Sequence, residues 1–345
     1  MSDRVCTAAA HPNLALVKYW GQTDSALMLP ANTSISLNLS GATTVTRVAF
    51  DSNLKADRVF INDAPADGPA SLRVRSHLDR VRALAGISQC AEVSSHNDFP
   101  AAAGIASSAS AFAALSLAAT RAVGLDLDVR SLSMLARRGS GSACRSIPDG
   151  FVEWQAGQSD ETSYARSIAA CDHWDLRVIT LYFGEKTKSL SSLGGHAAAP
   201  SSPYYAARLG ALPATLERVR RALADRDFHT LGMEVEREAI AFHSIAMTSL
   251  VTDQVWLSGI YYWSPETLAV IQAVQMWRAG GLPVYFTLDA GPSVHLFCEA
   301  QQLDRILNTA APIIDSTGAG TIISRPGRGA WIPDEERSSD ASCRL

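Results

Sequence analysis

Polar and apolar residues alternate along Ser34-Ile35-Ser36-Leu37-Asn38-Leu39, the signature of a strand with one face in the core and one outside it. The β pattern continues from Thr43 to Phe50 and from Arg58 to Ile61, with a turn at Asn62-Asp63. It is preceded by a β-like start within 4–20 and a turn at Leu29-Pro30-Ala31-Asn32-Thr33. The period then changes. Leu72, Val74, Leu78, Val81 and Leu84 recur at helical spacing, which predicts a helix over 70–86 that stops at Gly86. A strand at 90–95 leads to an Ala-rich helical segment reaching about Val123, and Asp126 to Arg138 gives a further helix. Phe151 to Trp154 and Leu176 to Phe183 read as strands. Beyond them the pattern predicts a loop from Gly184 to Gly195, helices near 203–225, 227–245 and 265–279, a strand from Val284 to Leu288, and a helix at 300–311. This is an α+β order of elements, with a domain boundary near 175: residues 1–175 form one unit, 176–330 a second, and the polar residues 331–345 a frayed tail.

Composition adds limits more than it adds identity. A chain of 345 residues with 47% hydrophobic and 19% charged residues can bury a sizeable core and is long enough for two domains. The net charge of -4, without blocks of like charge, argues against a nucleic-acid or acidic-membrane surface but leaves room for a local pocket for a small anion. No apolar run approaches the ~18 residues of a membrane span. The six cysteines lack Cys-x-x-Cys spacing, which points to reduced thiols in a cytoplasmic setting rather than a zinc or disulfide framework.

Candidate chemistry gathers at a few stretches. Phe99-Pro100-Ala101-Ala102-Ala103-Gly104-Ile105-Ala106-Ser107-Ser108 runs small residues into a helix N-terminus, which reads either as a phosphate cradle or as a plain loop before a tightly packed Ala helix. It lacks the Gly-Lys-Ser/Thr ending of a P-loop and the Gly-x-Gly-x-x-Gly spacing of a dinucleotide site. Lys18 closes an apolar segment before Tyr19 and Trp20 and either snorkels outward or faces a polar cleft. Gly139-Ser140-Gly141-Ser142-Ala143-Cys144-Arg145-Ser146 is either a flexible loop with a surface Arg or an oxyanion pocket that uses the guanidinium fork. Asp289, between an apolar strand and Gly291-Pro292, is either a turn-former or a carboxylate presented to a cleft. His229, His243 and His295 lack metal-ligand spacing, Tyr261-Tyr262-Trp263 reads as packing, and Cys144 has no partner base.

Taken together, Asn13-x-Ala15-x-x-Lys18-Tyr19-Trp20-Gly21, Asn97-x-Phe99-Pro100-x-Ala102-Ala103-Gly104-x-Ala106-Ser107-Ser108-Ala109, Arg138 to Ser146, and Asp289-Ala290-Gly291-Pro292 resemble the mevalonate diphosphate decarboxylases of the GHMP kinase superfamily. The resemblance runs from residue 8 to about 298. It implies a ribosomal-protein-S5-like N-terminal domain, a ferredoxin-like C-terminal domain, a cleft between them, Mg-ATP as phosphoryl donor, and a homodimer. At the matching positions it implies that Asp289 sits at the substrate's 3-hydroxyl as base or orienter, that Arg145 grips the carboxylate, and that Lys18 supplies positive charge to the developing phosphate. Tyr19, Ser140, Ser142 and Ser191 are implied substrate contacts, the last within Lys188-x-x-Ser191-x-x-Gly194. Pro100, Ala103, Gly104, Ala106, Ser107 and Ser108 are implied to hold the ATP phosphates, with Ser108 at magnesium, and Asn97 with Ser94 or Ser95 to contact adenine.

Two positions depart from the family. Diphosphate-using members carry Lys after Tyr-Trp-Gly, where this chain has Gln22. A charge-assisted hydrogen bond contributes about 1.5–3 kcal/mol against roughly 1 for a neutral one, so a substrate with fewer phosphate charges misses that Lys less. Gln22 and the Ala-His-Pro opening at 10–12 therefore resemble the phosphomevalonate decarboxylases, which release isopentenyl phosphate. Asp98 replaces a frequent Asn near the nucleotide base. Asp289 separates the chain from the mevalonate 3-kinases of the superfamily, which lack the matching Asp.

Overall fold

The structure, a computed structural model, describes residues 4–100, 105–184, 191–251 and 259–333. The first half opens with β1 (Val5–Ala10), β2 (Asn13–Val17), the short pair β3 (Gln22–Asp24) and β4 (Leu29–Pro30), and then β5 (Ser34–Asn38). It continues with β6 (Thr44–Asp51), β7 (Arg58–Ile61), β8 (Ala64–Pro65), α1 (Gly68–Ala85) and β9 (Cys90–Asn97). Helices α2 (Ser107–Ala122) and α3 (Val129–Gly139) lead to a 3-10 turn at Gly141–Ser146 and the hairpin β10 (Phe151–Trp154) and β11 (Ala165–Ala169). The second half contains β12 (Leu176–Tyr182), α4 (Ser192–Ala198), α5 (Tyr205–Asp225), α6 (Phe228–Thr248), α7 (Pro265–Ala279), β13 (Tyr285–Thr287), β14 (Val294–Glu299), α8 (Leu303–Thr317) and β15 (Gly320–Ser324).

Three larger sheets carry the architecture. The first runs β1-β6-β9-β7-β8, antiparallel except for the parallel pair β7 and β9; the second runs β11-β10-β5-β2; the third, in the second half, runs β13-β14-β12-β15. Strict alternation of buried and outward residues along β6 matches its period-two sequence. Helix α2 is apolar or small nearly all round because it lies between the first sheet and the layer formed by α3 and the 3-10 turn, and a helix covered on every side needs no polar face. At α1 the helix forms as expected and closes on the left-handed Gly86, but Leu72 and Leu84 stay exposed and only Leu78 and Val81 of the stripe are fully buried.

The expectation of a half-buried strand fails at β5, which is buried throughout. Its polar face is covered by the 3-10 turn and the loops beside it: Ser34 accepts a hydrogen bond from Arg145, and Asn38 donates to the carbonyls of Pro148 and Arg328. The Ser34 hydroxyl and the Asn38 amide nitrogen are thus met by partners, while Asn38 Oδ1 and Ser36 Oγ are buried without one among the described residues. The expected loop at Gly184 to Gly195 ends instead in α4, capped by Ser191, while residues 185–190 lie outside the described ones. Strands β11, β14 and β15 were not apparent in the sequence pattern.

The halves are not independent. One apolar cluster joins Leu14, Val17, Ile35 and Phe151 of the first half to Leu176, Leu212, Leu231 and Tyr285 of the second. After β15 the chain returns to the first half. Gly327 donates to the Asn38 carbonyl at 2.8 Å, and Trp331 exchanges backbone hydrogen bonds with Ala9 at 2.8 and 2.9 Å. Trp331 is thus held rather than frayed, and the expected tail beyond 333 lies outside the described residues. No helix among the described residues is long and apolar enough to cross a membrane. Among the described residues Cys6, Cys90, Cys144 and Cys298 are reduced thiols.

Candidate active site

A cleft of about 640 Å³ opens where β2, the start of α2, the 3-10 turn, α4 and the loop after β13 converge. Lys18, at the end of β2, is buried because its backbone is clamped: its N–H donates to Glu238 Oε1 at 3.1 Å, and its carbonyl accepts from Asn32 Nδ2 at 2.9 Å and Arg208 Nη2 at 3.0 Å. Arg208 and Glu238 are themselves an ion pair joining α5 to α6. The Nζ of Lys18 donates to the Ala15 carbonyl and to Asp289 Oδ1, both at 2.7 Å. Burial draws the Lys18 ammonium below the usual lysine range against the pull of Asp289. For Asp289, burial raises the carboxyl, but Lys18 and Arg145 outweigh it and hold the group below the usual aspartate range. The result is a desolvated ion pair with its carboxylate at the cleft.

Arg145 comes from the 3-10 turn. Its Nη1 donates to Ser34 Oγ at 2.8 Å, its Nε donates to Asn13 Oδ1 at 3.2 Å, and its guanidinium lies 5.6 Å from the Trp154 ring centre. Among the described residues it has no carboxylate in contact, although its side chain is almost fully buried. A buried cation without a counter-ion is costly unless an anion arrives, so this group is poised for one. The surface-Arg reading of the Gly/Ser run is therefore excluded. Cys144 beside it donates to the Gly141 carbonyl, and burial pushes its thiol up to about 12, which leaves it an inert packing group.

Tyr19, Gln22, Ala106, Ser107, Ser108, Ser140, Ser142 and Ser191 line the same cleft as Lys18, Arg145 and Asp289. Gln22 Nε2 donates to the Tyr19 hydroxyl oxygen at 2.6 Å, and the two Ser hydroxyls of Ser140 and Ser108 meet at 3.3 Å. Ser191 Oγ also accepts from the Gly194 N–H at 3.2 Å as the cap of α4. A Cβ on Gly141 would come 2.8 Å from the Tyr19 hydroxyl, so Gly141→Ala should displace Tyr19 and raise KM for substrate several-fold, checked by steady-state kinetics. Ala103 and Gly104 lie outside the described residues.

The adenine contacts expected of Ser94 and Asn97 fall outside this cleft. Neither lines the cleft: Ser94 points outward on β9, and Asn97 is used within the sheet, its Oδ1 accepting from Thr44 Oγ1 at 2.6 Å and its N–H donating to Asn62 Oδ1 at 2.9 Å. Pro100 is exposed and does not line the cleft either. Asp98, the second departure from the family, is engaged by the Thr43 N–H at 2.7 Å.

Sequence reasoning missed Arg73, His196 and Met28, all of which face the cleft. Arg73 reaches it from α1 while donating to the Gly139 carbonyl and covering the Phe112 ring. Its signal was hidden, because α1 carries several Arg residues at similar spacing. Distant His243 and His295 converge behind the Lys18–Asp289 pair, where burial lowers them to about 3 and about 4, so both are neutral imidazoles. Among the described residues no group of three or more His, Cys, Asp or Glu could hold a metal.

The donor set fits a nucleotide with magnesium. Ala106 supplies no capping side chain to α2, so the first turn presents its backbone end to the cleft beside Ser107, Ser108 and Arg73, a suitable place for polyphosphate. Ser108 offers one hydroxyl, and magnesium accepts a mainly phosphate and water shell.

Comparison with known proteins identifies relatives along nearly the whole chain. Residues 10–165 match the family described as "Diphosphomevalonate decarboxylase-like N-terminal domain", and residues 178–327 match "Mevalonate 5-diphosphate decarboxylase C-terminal domain". The chain is 32% identical over 333 residues to the phosphomevalonate decarboxylase of Haloferax volcanii, covering 96% of this chain and 98% of that one. It is 34% identical over 316 residues to the diphosphomevalonate decarboxylase of Bos taurus, covering 85% and 76%. Among solved structures, the mevalonate diphosphate decarboxylase of Staphylococcus aureus superposes with a TM-score of 0.88 at 36% identity, covering 95% of this chain and 97% of that one. A chain described as "MDDEF in complex with MVAPP, AMPPCP and Magnesium" gives 0.87 at 35% identity, covering 95% and 99%.

Proposed function

The chain belongs to the diphosphomevalonate decarboxylase-like family, and from that premise we propose that it is an ATP-dependent decarboxylase of 5-phosphomevalonate in the mevalonate pathway. The products are isopentenyl phosphate, ADP, phosphate and CO2. The observation that carries the choice of substrate is Gln22, a neutral side chain hydrogen-bonded to Tyr19 where the family's diphosphate-using members place a lysine. The full-length similarity to the Haloferax volcanii enzyme supports the same reading.

ATP supplies the phosphoryl group for the 3-hydroxyl, and magnesium offsets its charge. The α2 N-terminus with Ser107 and Ser108 would hold the phosphates, Ser108 would offer its hydroxyl to the metal, and Arg73 would add a cation. Asp289, kept ionised by Lys18, accepts the 3-hydroxyl proton in a hydrogen bond and aims its oxygen. A carboxylate drawn this low is a weak base, so orientation is its main contribution. Lys18 lies one hydrogen bond from Asp289 and stabilises negative charge that grows on the departing phosphate. Arg145 fixes the carboxylate that leaves as CO2, and Tyr19, Ser140, Ser142 and Ser191 hold the rest of the substrate. The enzyme works as a homodimer in the cytoplasm.

The diphosphate is the competing substrate, favoured by the name of the Bos taurus relative and by both solved structures. Steady-state assays with each substrate, resolving isopentenyl phosphate from isopentenyl diphosphate, decide between them. The monophosphate should give the higher kcat/KM, and a clear excess for the diphosphate would overturn the assignment. Gln22→Lys should move the ratio about tenfold towards the diphosphate, the size of one neutral hydrogen bond becoming charge-assisted.

A further inference from the structure

His196 has no part in the roles assigned above, yet its ring lines the cleft from α4. It lies against Tyr19, with ring centres 4.0 Å apart, and against Trp20 at 4.7 Å. Its Nδ1 accepts the Gly21 backbone N–H at 3.0 Å. A nitrogen that accepts carries no proton, so the neutral ring holds its proton on Nε2. Burial, with Arg145 and Arg208 nearby, pushes the imidazole down to about 3, and the ring stays neutral through any working pH.

The ring is also fixed in place. A Cβ on Gly195 would come 2.3 Å from the Trp20 indole, so α4 is pressed directly onto that ring. Gly21 has φ +89 and would bring a Cβ against the Tyr205 hydroxyl, which sets the direction of the N–H that holds His196. Among the described residues Nε2 has no hydrogen-bond partner. The same wall of the cleft carries Tyr19 and, through the 2.6 Å hydrogen bond, Gln22. Gln22 Nε2 is committed to the Tyr19 hydroxyl and to Met28 Sδ at 3.2 Å, which leaves the His196 Nε2–H as the uncommitted neutral donor of the pair on the wall where the substrate's phosphate end would lie.

We propose that His196 is a specificity-determining residue whose Nε2–H donates to the 5-phosphate of the substrate, reading a monophosphate with a fixed neutral donor. This rests on the substrate assignment above, and the test separates the two. His196→Leu removes the donor, while His196→Gln can return an N–H near the Nε2 position. Calorimetric titration without nucleotide should show 5-phosphomevalonate binding weakened about tenfold or more in the Leu variant and restored to within about threefold in the Gln variant. Affinity for unphosphorylated mevalonate should be unchanged in both. In turnover the loss should fall on KM with kcat within about threefold, because a phosphate contact far from the reacting carbon binds ground and transition states alike.

Unchanged affinity for the phosphorylated ligand in the Leu variant would overturn the proposal, as would an equal loss for mevalonate, which would mark a packing role. A wild-type enzyme that prefers the diphosphate, with the Leu variant still losing affinity for both phosphorylated ligands, would overturn the substrate assignment and leave the His196 contact standing. Monophosphate preference in the wild type with no response to His196→Leu would do the reverse.

Discussion

Asp289→Asn should lower kcat by about 10²–10⁴-fold, the range contributed by one positioned proton-handling group, while nucleotide affinity stays within about threefold. The substitution keeps the shape of the side chain and an acceptor oxygen for Lys18, but removes the negative charge that orients the 3-hydroxyl and holds the ammonium. Single-turnover kinetics and nucleotide titration check the two halves of this expectation. The wild-type pH profile follows from the same pair. Asp289 is held below its ordinary value of 3.8, so the activity that needs it ionised is fully present above that pH and falls only as pH drops through the lower value. An acid limb centred near pH 6 would show that another group controls the reaction. Survival of activity in the Asn variant would remove Asp289 from the chemistry.

Arg145→Gln should have the second large effect, lowering kcat/KM by about 10²–10³-fold. Truncating one partner of a buried charged contact costs about 2–5 kcal/mol, and the carboxylate that Arg145 is poised to hold would enter the cleft unpaired. The same substitution should leave the melting temperature of the free enzyme level or slightly raised. In the free protein the guanidinium is buried with, among the described residues, only Ser34 Oγ and Asn13 Oδ1 as acceptors, so its removal should relieve desolvation more than it breaks partnership. Substrate should stabilise the wild type against heat and fail to stabilise the variant. A large drop in melting temperature without ligand would instead mark Arg145 as a structural group.

The legible parts of this molecule were those decided by short-range pattern. The alternation along β6, the stripe of α1 ending at Gly86, and the helical spacing of α5 to α7 each depend on residues near in sequence. The site was legible where several short motifs pointed to one chemistry, and the cleft gathers Lys18, Ser108, Arg145 and Asp289 from positions up to 271 residues apart. What escaped notice depends on partners chosen by the fold. Ser34 and Asn38 look solvent-facing until the 3-10 turn covers them. His196, in a run of Gly and Ala, carries no hint that the Gly21 N–H selects its tautomer. Asn97 sits inside a quoted motif, and the sheet engages its Oδ1, which accepts from Thr44, and its backbone N–H, which donates to Asn62.

The apolar cluster that runs from Leu14 and Phe151 to Leu212 and Tyr285 has a consequence for how the protein comes apart. Neither half can be withdrawn without exposing the large side chains it contributes, and the chain from Gly327 to Trp331 stitches the second half back to β1 and β5. The two halves should therefore melt together, and scanning calorimetry should show one transition rather than two. A gene split near residue 175 would yield two fragments that regain structure only in each other's presence.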